Sequence, residues 1–263
     1  MILTSYCLLA YTFLPAAWKH YEHQRGLAGL PMMTHTIQGI PGDPINVGLV
    51  GSKADVLCAM HAAGWNPADP LTLRSSIEIV GSVVFGRPYR AAPVSHLYFQ
   101  DRREDLAFEL LEGKSAKQRN HVRFWEVLAR GEEGRIVWLG AATFDRGVGL
   151  SRYTGQVTHH IAADIDAERD RLTTDLQAAR VVDAVYQVSG IGPTLNGRNG
   201  ERDPYYTDGE IKISRLVEGC DKRVEGAAIL ASPPLVRLNG AAWHIFGQML
   251  QSDEPFDPVE DQD

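Results

Sequence analysis

DLAFELL at residues 105–111 and NHVRFWEVL at residues 120–128 are the stretches that decide the fold. Successive side chains of a strand point to opposite faces. Leu106, Phe108 and Leu110 therefore share one side of the first stretch, and Val122 and Phe124 share one side of the second. This alternation over short segments predicts two strands that each bury one face.

Two flanking segments, 94–100 and 135–144, alternate in the same way. The connections at 101–104 and 131–134 are short enough for hairpins, which predicts an antiparallel meander. Further strands are predicted at 45–50, 181–188 and 210–217.

Two amphipathic helices accompany these strands. Ser52 is a good N-cap with Asp55 three residues later, and Gly64 ends that helix. Asp164 caps a second helix over 164–180. The sequence thus predicts an α+β fold, a mainly antiparallel sheet with about two helices packed on one face, plus an N-terminal membrane helix.

The N-terminal segment, Met1 to Trp18, carries no charge. At about 1.5 Å per residue it reaches roughly 25 Å, just under the ~30 Å of a bilayer core. A membrane anchor fits best, a core or interfacial helix is the second interpretation, and a signal peptide is the third because a basic start and a cleavage site are missing. Lys19 and Arg25 follow the segment, which favours a cytoplasmic globular domain.

The domain organisation follows from these features. We expect a transmembrane anchor at 1–21, a linker rich in glycine and proline at 22–44, an α+β domain at 45–251 and a disordered acidic tail at 252–263. The predicted partners are the lipid bilayer and a membrane protein.

Composition excludes some function classes. The net charge of −7 argues against a nucleic-acid surface, which would carry a basic face. The three cysteines form neither a disulfide framework nor a zinc pattern, which suits a reducing compartment. No cofactor motif is found, and neither a phosphate-binding glycine loop nor a nucleophile motif is present.

Two places could bind a ligand. His121, Arg123 and Trp125 project from one face of a predicted strand and could form an anion-binding surface; otherwise they line the solvated or helix-covered side of the sheet. The loop at 190–209 contains Asp203 and Asp208, and a loop of this length is either functional or simply structural.

A metal site is not expected. His159 and His160 precede the acidic residues Asp164, Asp166 and Glu168. Adjacent strand residues point to opposite faces, so the two histidines would not readily share an ion. The carboxylates are already explained as helix-start residues.

Several segments resemble the LssY-like C-terminal domain family. They are VGS at 50–52, AGW at 63–65, DLAF at 105–108, RNHVRFW at 119–125, WLG at 138–140, DAERD at 166–170 and DPYYTDG at 203–209. The resemblance spans residues 40–220, and Asn120 departs from the histidine expected there. The family is named after a component of a bacterial type I secretion system, and related domains follow multi-span membrane domains, including phosphatidic-acid-phosphatase-like ones.

The resemblance implies no catalytic residues. We therefore expect a single-pass, membrane-tethered accessory or binding domain. The alternative is a hydrolase of phosphorylated or lipid substrates that uses His121, Arg123 and the loop with Asp203 and Asp208.

Overall fold

The computed structural model describes residues 2–13, 26–27, 29–68, 96–111, 119–150, 153, 157–188 and 196–231, with isolated positions up to 241. The chain divides into two compact units, residues 1–230 and 231–263. The expected acidic tail at 252–263 lies outside the described residues.

The elements of the first unit are short apart from the central strands. The helices are α1 (Ile2–Leu8), α2 (Lys53–Ala62) and α3 (Ile165–Ala178). The strands are β1 (Met33–His35), β2 (Pro41–Pro44), β3 (Val47–Val50), β4 (Asn66–Pro67), β5 (Tyr98–Phe99), β6 (Arg102–Arg103), β7 (Leu106–Leu111), β8 (Arg119–Leu128), β9 (Val137–Leu150), β10 (Val157–Ile161), β11 (Val182–Val188), β12 (Asn196–Arg198), β13 (Pro204–Tyr206), β14 (Ile211–Leu216) and β15 (Ala228–Ile229).

The larger sheet has the order β15-β11-β14-β3-β9-β8-β7-β4, with β10 paired to β9. Its pairs are antiparallel except β14 with β3 and β11 with β15. The meander β7-β8-β9 is confirmed, and Phe124 lies opposite Leu106 on one side and Gly140 on the other. The predicted α+β class is therefore confirmed, as a mixed structure that is mainly sheet.

Both helices begin where their caps predict. Ser52 and Asp55 form a reciprocal capping box at α2. The Asp164 carboxylate accepts a hydrogen bond from the Ala167 amide at the start of α3. These caps satisfy amide groups that the first helical turn leaves without partners.

The larger sheet is covered on both faces. Phe124 packs in one apolar cluster with Met60 of α2 and Leu172 of α3. Trp125, which points the other way, packs in a second cluster with Phe99 of β5. The second face is covered by a smaller sheet of order β2-β1-β5-β6, so the domain has three layers.

This smaller sheet corrects two expectations. Residues expected to be a linker up to residue 44 form β1 and β2, and Thr34 and Asp43 are buried. The strand expected at 94–100 leaves the meander and pairs as β5 with β1 and β6. The glycines and prolines that favoured a linker instead suit short edge strands joined by tight turns.

The start of the chain is α-helical over α1 and continues as a short π-helix, Leu9–Phe13. Its large apolar side chains are exposed, which does not fit the interpretation as a core helix. Among the described residues, no helix is long and apolar enough to cross a bilayer. The expected membrane helix over 1–18 is thus not found in the described segments.

Cys58 of α2 and Cys220 after β14 form a disulfide; their Cα atoms lie 5.9 Å apart, and their sequence separation is 162. The cysteine spacing gave no sign of this disulfide, and the bond does not fit the reducing compartment that the spacing favoured. Such a separation carries no sequence pattern, because only folding brings the two residues together.

Candidate functional site

Strand β8 places Arg119, His121 and Arg123 on the face that the smaller sheet covers, because strand side chains alternate. The neighbouring strands add charged partners on the same face. His121 lies opposite Glu109 of β7 and Thr143 of β9. We call this group the inter-sheet network; its members are Asp43, Glu109, Arg119, His121, Arg123, Thr143 and Asp145, and all are buried.

Arg119 joins two carboxylates at one end of the network. Its Nη1 donates to Glu109 Oε2 at 3.0 Å, and its Nε donates to Asp145 Oδ2 at 3.2 Å. Burial raises the pKa of Glu109, and Arg119 opposes that rise. The guanidinium therefore donates hydrogen bonds to two buried carboxylates.

His121 links this end to the smaller sheet. Its Nδ1 lies 3.2 Å from Asp145 Oδ1, and its Nε2 lies 2.8 Å from Thr143 Oγ1 and 3.4 Å from Asp43 Oδ2. Arg123 Nη1 donates to the same Asp43 oxygen at 3.0 Å. Asp43 of β2 thus holds two side chains of β8 across the space between the sheets.

The electrostatics favour a protonated imidazole. Burial alone would lower the pKa of His121, but the Asp145 and Asp43 carboxylates together outweigh burial and the nearby Arg123 and raise that pKa to about 9. With His121 protonated, three cations face three carboxylates in the inter-sheet network. Balanced charges of this kind are tolerated in an interior only when every partner is kept.

Asp208 is part of a different cluster. Arg169 of α3 contacts both Asp208 oxygens, at 2.6 and 3.0 Å, and it lies 3.2 Å from Asp166. Asp166 also accepts hydrogen bonds from the Thr207 hydroxyl and the Asp208 amide. Burial, with the nearby Asp208, raises the pKa of Asp166 to about 6 against the effect of Arg169. These contacts fasten the end of the loop to the first turn of α3.

Asp203 has its own partner. Its carboxylate accepts from His160 Nδ1 at 2.9 Å, from the Ile161 amide at 3.3 Å and from the Asn199 amide group at 3.4 Å. Arg146 Nη2 lies 3.7 Å from the same oxygen that His160 contacts. Only 6% of the Asp203 side chain is exposed, whereas 35% of the His160 side chain is.

The predicted site residues therefore divide among three places. His121 and Arg123 meet at Asp43, as their shared face predicts, but they are buried and not on a binding surface. Asp203 and Asp208 contact different residues, His160 and Arg169. Among the described residues, no single cluster contains all four.

The sequence does not reveal several members of these clusters. Asp43 lies in the segment expected to be a linker. Glu109 and Asp145 are charged residues at inward-facing strand positions, and recognising them requires the register of β7, β8 and β9. The sequence draws attention to His160 and Asp203 separately, but no local pattern pairs them.

The acidic residues near His160 have separate partners. Asp164 caps α3, and Asp166 contacts Arg169 and Thr207. Within the described ranges, no group of three or more His, Cys, Asp or Glu side chains is placed to hold a metal ion. The side chain of His159 lies outside the described residues.

A family model described as LssY C-terminus matches residues 27–211, which is more than half of the chain. The match begins before β1 and ends at the start of β14, so it includes the smaller sheet, all three clusters and the larger sheet apart from β15 and most of β14. Comparison with curated proteins and with solved structures finds no match.

Proposed function

The chain belongs to the LssY C-terminus family, and we propose that it is an accessory or binding domain tethered to a membrane by its N-terminal apolar segment. The observation that carries the proposal is the exposure of that segment. Six large apolar side chains are between 51% and 74% exposed; they are Leu3, Tyr6, Leu8, Leu9, Tyr11 and Phe13.

Membrane insertion would remove this apolar surface from water. Burying one such side chain fully is favourable by about 1.5–3 kcal/mol, so the segment as a whole would contribute strongly to membrane binding. The sequence stays uncharged up to Trp18, and Trp18 and Tyr21 suit the membrane interface. A tethered domain of this kind would work beside a membrane protein, and co-purification after mild detergent extraction tests for that partner.

Vesicle flotation tests the tether. We expect the full chain to float with phosphatidylcholine vesicles and the double variant Leu9→Asp/Phe13→Asp to stay largely at the bottom, because a charge in hydrocarbon costs about 2.5–3.5 kcal/mol. The matched control is Ile37→Asp/Val224→Asp, which changes two side chains that are 73% and 89% exposed elsewhere. The tether is rejected if the first variant floats as well as the control.

A further question is on which side of the membrane the globular domain lies. Lys19 and Arg25 favour the cytoplasm by the positive-inside rule, whereas the Cys58–Cys220 disulfide favours an oxidising compartment. Protease protection of the domain in sealed vesicles decides between them. A disulfide found in protein taken directly from cells would argue for the extracytoplasmic side.

The second candidate is a hydrolase of phosphorylated or lipid substrates. The inter-sheet network does not favour it, because His121 and Arg123 are buried beneath the smaller sheet. The observation that favours a hydrolase is that His160 is partly exposed and is oriented by a buried carboxylate. Hydrolysis of a soluble phosphomonoester that disappears in His160→Gln would support this candidate, and turnover unchanged in that variant would exclude His160 as its base.

A further inference from the structure

The structure assigns a second property to this domain: His160 and Arg146, with Asp203 behind them, form a binding site for a phosphate group. This inference does not depend on the membrane tether. It rests on how one buried carboxylate orients an imidazole and leaves a guanidinium available beside it.

The first step is the orientation of His160. Because Nδ1 is bound to Asp203 at 2.9 Å, the opposite ring nitrogen, Nε2, points away from the carboxylate. The Ile161 amide binds the other oxygen of Asp203, so the carboxylate is fixed against the backbone of β10. The ring is thus held in one position before any ligand arrives, which lowers the entropic cost of binding.

The second step is the state of Arg146. Its Nη2 lies 3.7 Å from Asp203, which is too far for a hydrogen bond, and 48% of its side chain is exposed. The guanidinium carries five N–H donors, and no hydrogen bond joins them to another described residue. A phosphate is the ligand that suits such a fork, since it accepts two parallel hydrogen bonds.

The third step is the loop that holds Asp203. The Asp203 amide donates to Asn199 Oδ1 at 2.9 Å, and the Gly200 amide donates to the Pro41 carbonyl at 2.7 Å. Arg202 has a positive φ of 69°, which is uncommon for a residue with a side chain and is held here by these bonds. The loop is therefore a fixed support for the carboxylate.

Charge selects phosphate over a carboxylate. The hairpin β12–β13, whose loop holds Asp203, also exposes Arg198 and Arg202, although the chain has a net charge of −7. A phosphate monoester carries about −1.5 to −2 at neutral pH, which matches several cations better than a single negative charge does. The ligand class is thus a phosphate monoester, either on a soluble molecule or on a lipid headgroup.

The chain offers a matched control. His96 Nδ1 lies 2.7 Å from the buried Glu104 carboxylate, and the Leu97 amide binds its second oxygen. Arg103 differs from Arg146 because its Nε donates to Glu104 at 3.3 Å. The imidazole and carboxylate are arranged alike at both places, but the guanidinium at His96 is already bound to the carboxylate.

Calorimetric titration of the full chain tests the site, with inorganic phosphate and phenyl phosphate as ligands and acetate as the carboxylate comparison. We expect both phosphates to bind and acetate to bind much more weakly. Arg146→Gln and His160→Gln should each weaken phosphate binding roughly tenfold or more, because each removes a charge-assisted hydrogen bond. Arg103→Gln and His96→Gln should bind as the unaltered chain does.

The inference is overturned if phosphate does not bind, if Arg146→Gln binds it unchanged, if acetate binds equally, or if the control variants lose as much. Arg146→Lys keeps the charge without the fork and should show an intermediate loss, which provides a second measurement should Arg146→Gln fold poorly. Flotation of the variant Leu9→Asp/Phe13→Asp, which lacks the tether, with phosphatidylcholine vesicles that contain or lack phosphatidic acid separates a lipid headgroup from a soluble monoester. A preference for phosphatidic acid that Arg146→Gln abolishes assigns the lipid headgroup; phenyl phosphate binding without that preference assigns a soluble monoester.

Discussion

His121 is the residue at which the charge balance of the interior is decided. It stands between Asp145 and Asp43, and Arg119 and Arg123 contact the same two carboxylates. Deprotonation of the imidazole would leave the three buried carboxylates facing only two cations. The protonation of His121 is therefore coupled to folding, and the stability of the domain should depend on pH through His121 above pH 6.5.

We predict that the free energy of unfolding falls as the pH rises from about 6.5 to about 9. An imidazole in the unfolded chain has a pKa near 6.5, and the Asp145 and Asp43 carboxylates, against the effect of burial, raise the folded pKa of His121 to about 9. Because the pKa of His121 is higher in the folded chain, its protonation stabilises the fold fully below the pKa of the unfolded chain. This stabilisation is lost as the pH rises through the pKa of the folded chain. The loss amounts to about 3 kcal/mol.

Urea unfolding at several pH values measures this effect. His121→Gln should be less stable than the unaltered chain at pH 6 and should show a much flatter pH dependence. His61→Gln is the control, because it removes an exposed imidazole of α2 and should keep the original slope. A slope that His121→Gln leaves unchanged would contradict the assignment.

At the scale of elements, the central strands are held by close backbone approach as well as by side-chain packing. Gly140 of β9 lies between Val47 of β3 and Phe124 of β8. A Cβ at this position would lie 2.6 Å from the Phe124 ring and 2.9 Å from the Arg123 carbonyl oxygen. The absence of a side chain at Gly140 thus leaves the space that the Phe124 ring occupies beside β9.

Gly140→Ala should destabilise the domain by about 1–3 kcal/mol, the usual range for overpacking in a filled core. The ring and the backbone carbonyl would both have to move, and the carbonyl belongs to the β8 ladder. Gly147→Ala, further along the same strand, is the control because a Cβ there meets nothing within 4 Å. Thermal unfolding of both variants checks the prediction, and equal melting temperatures would show that the sheet accommodates the methyl group.

At the scale of the whole molecule, the disulfide joins parts of the chain that are far apart in sequence. Cys58 on α2 and Cys220 beyond β14 close a loop of 162 residues. The loop contains β7 to β14 and α3, so it encloses most of the larger sheet. A cross-link around so long a loop restricts the unfolded chain strongly.

We predict that Cys58→Ser lowers the free energy of unfolding by about 2–5 kcal/mol. Guanidinium unfolding under oxidising conditions measures this, and a reductant should lower the stability of the unaltered chain but not that of the variant. Cys7→Ser is the matched control, since Cys7 is exposed and outside the disulfide. Alkylation of both Cys58 and Cys220 in unreduced protein would refute the cross-link.

The sequence determined the local structure of this protein. The two helix caps, the alternation in β7 and β8 and the α+β class all depend on residues a few positions apart, so they could be read without coordinates. It also placed His121 and Arg123 on one face. The segments that resemble the LssY-like family carried the assignment that the family model confirms.

The tertiary structure alone decided what those side chains contact. Asp43 lies 78 residues from His121 in sequence, and Asp203 lies 43 residues from His160. Strand register and layer packing therefore determine these contacts. The same holds for Cys58 and Cys220, and for the smaller sheet that turns a predicted binding face into a buried network. Periodicity specifies which way a side chain points, but what covers that face depends on segments distant in sequence, and local patterns contain no record of their arrangement.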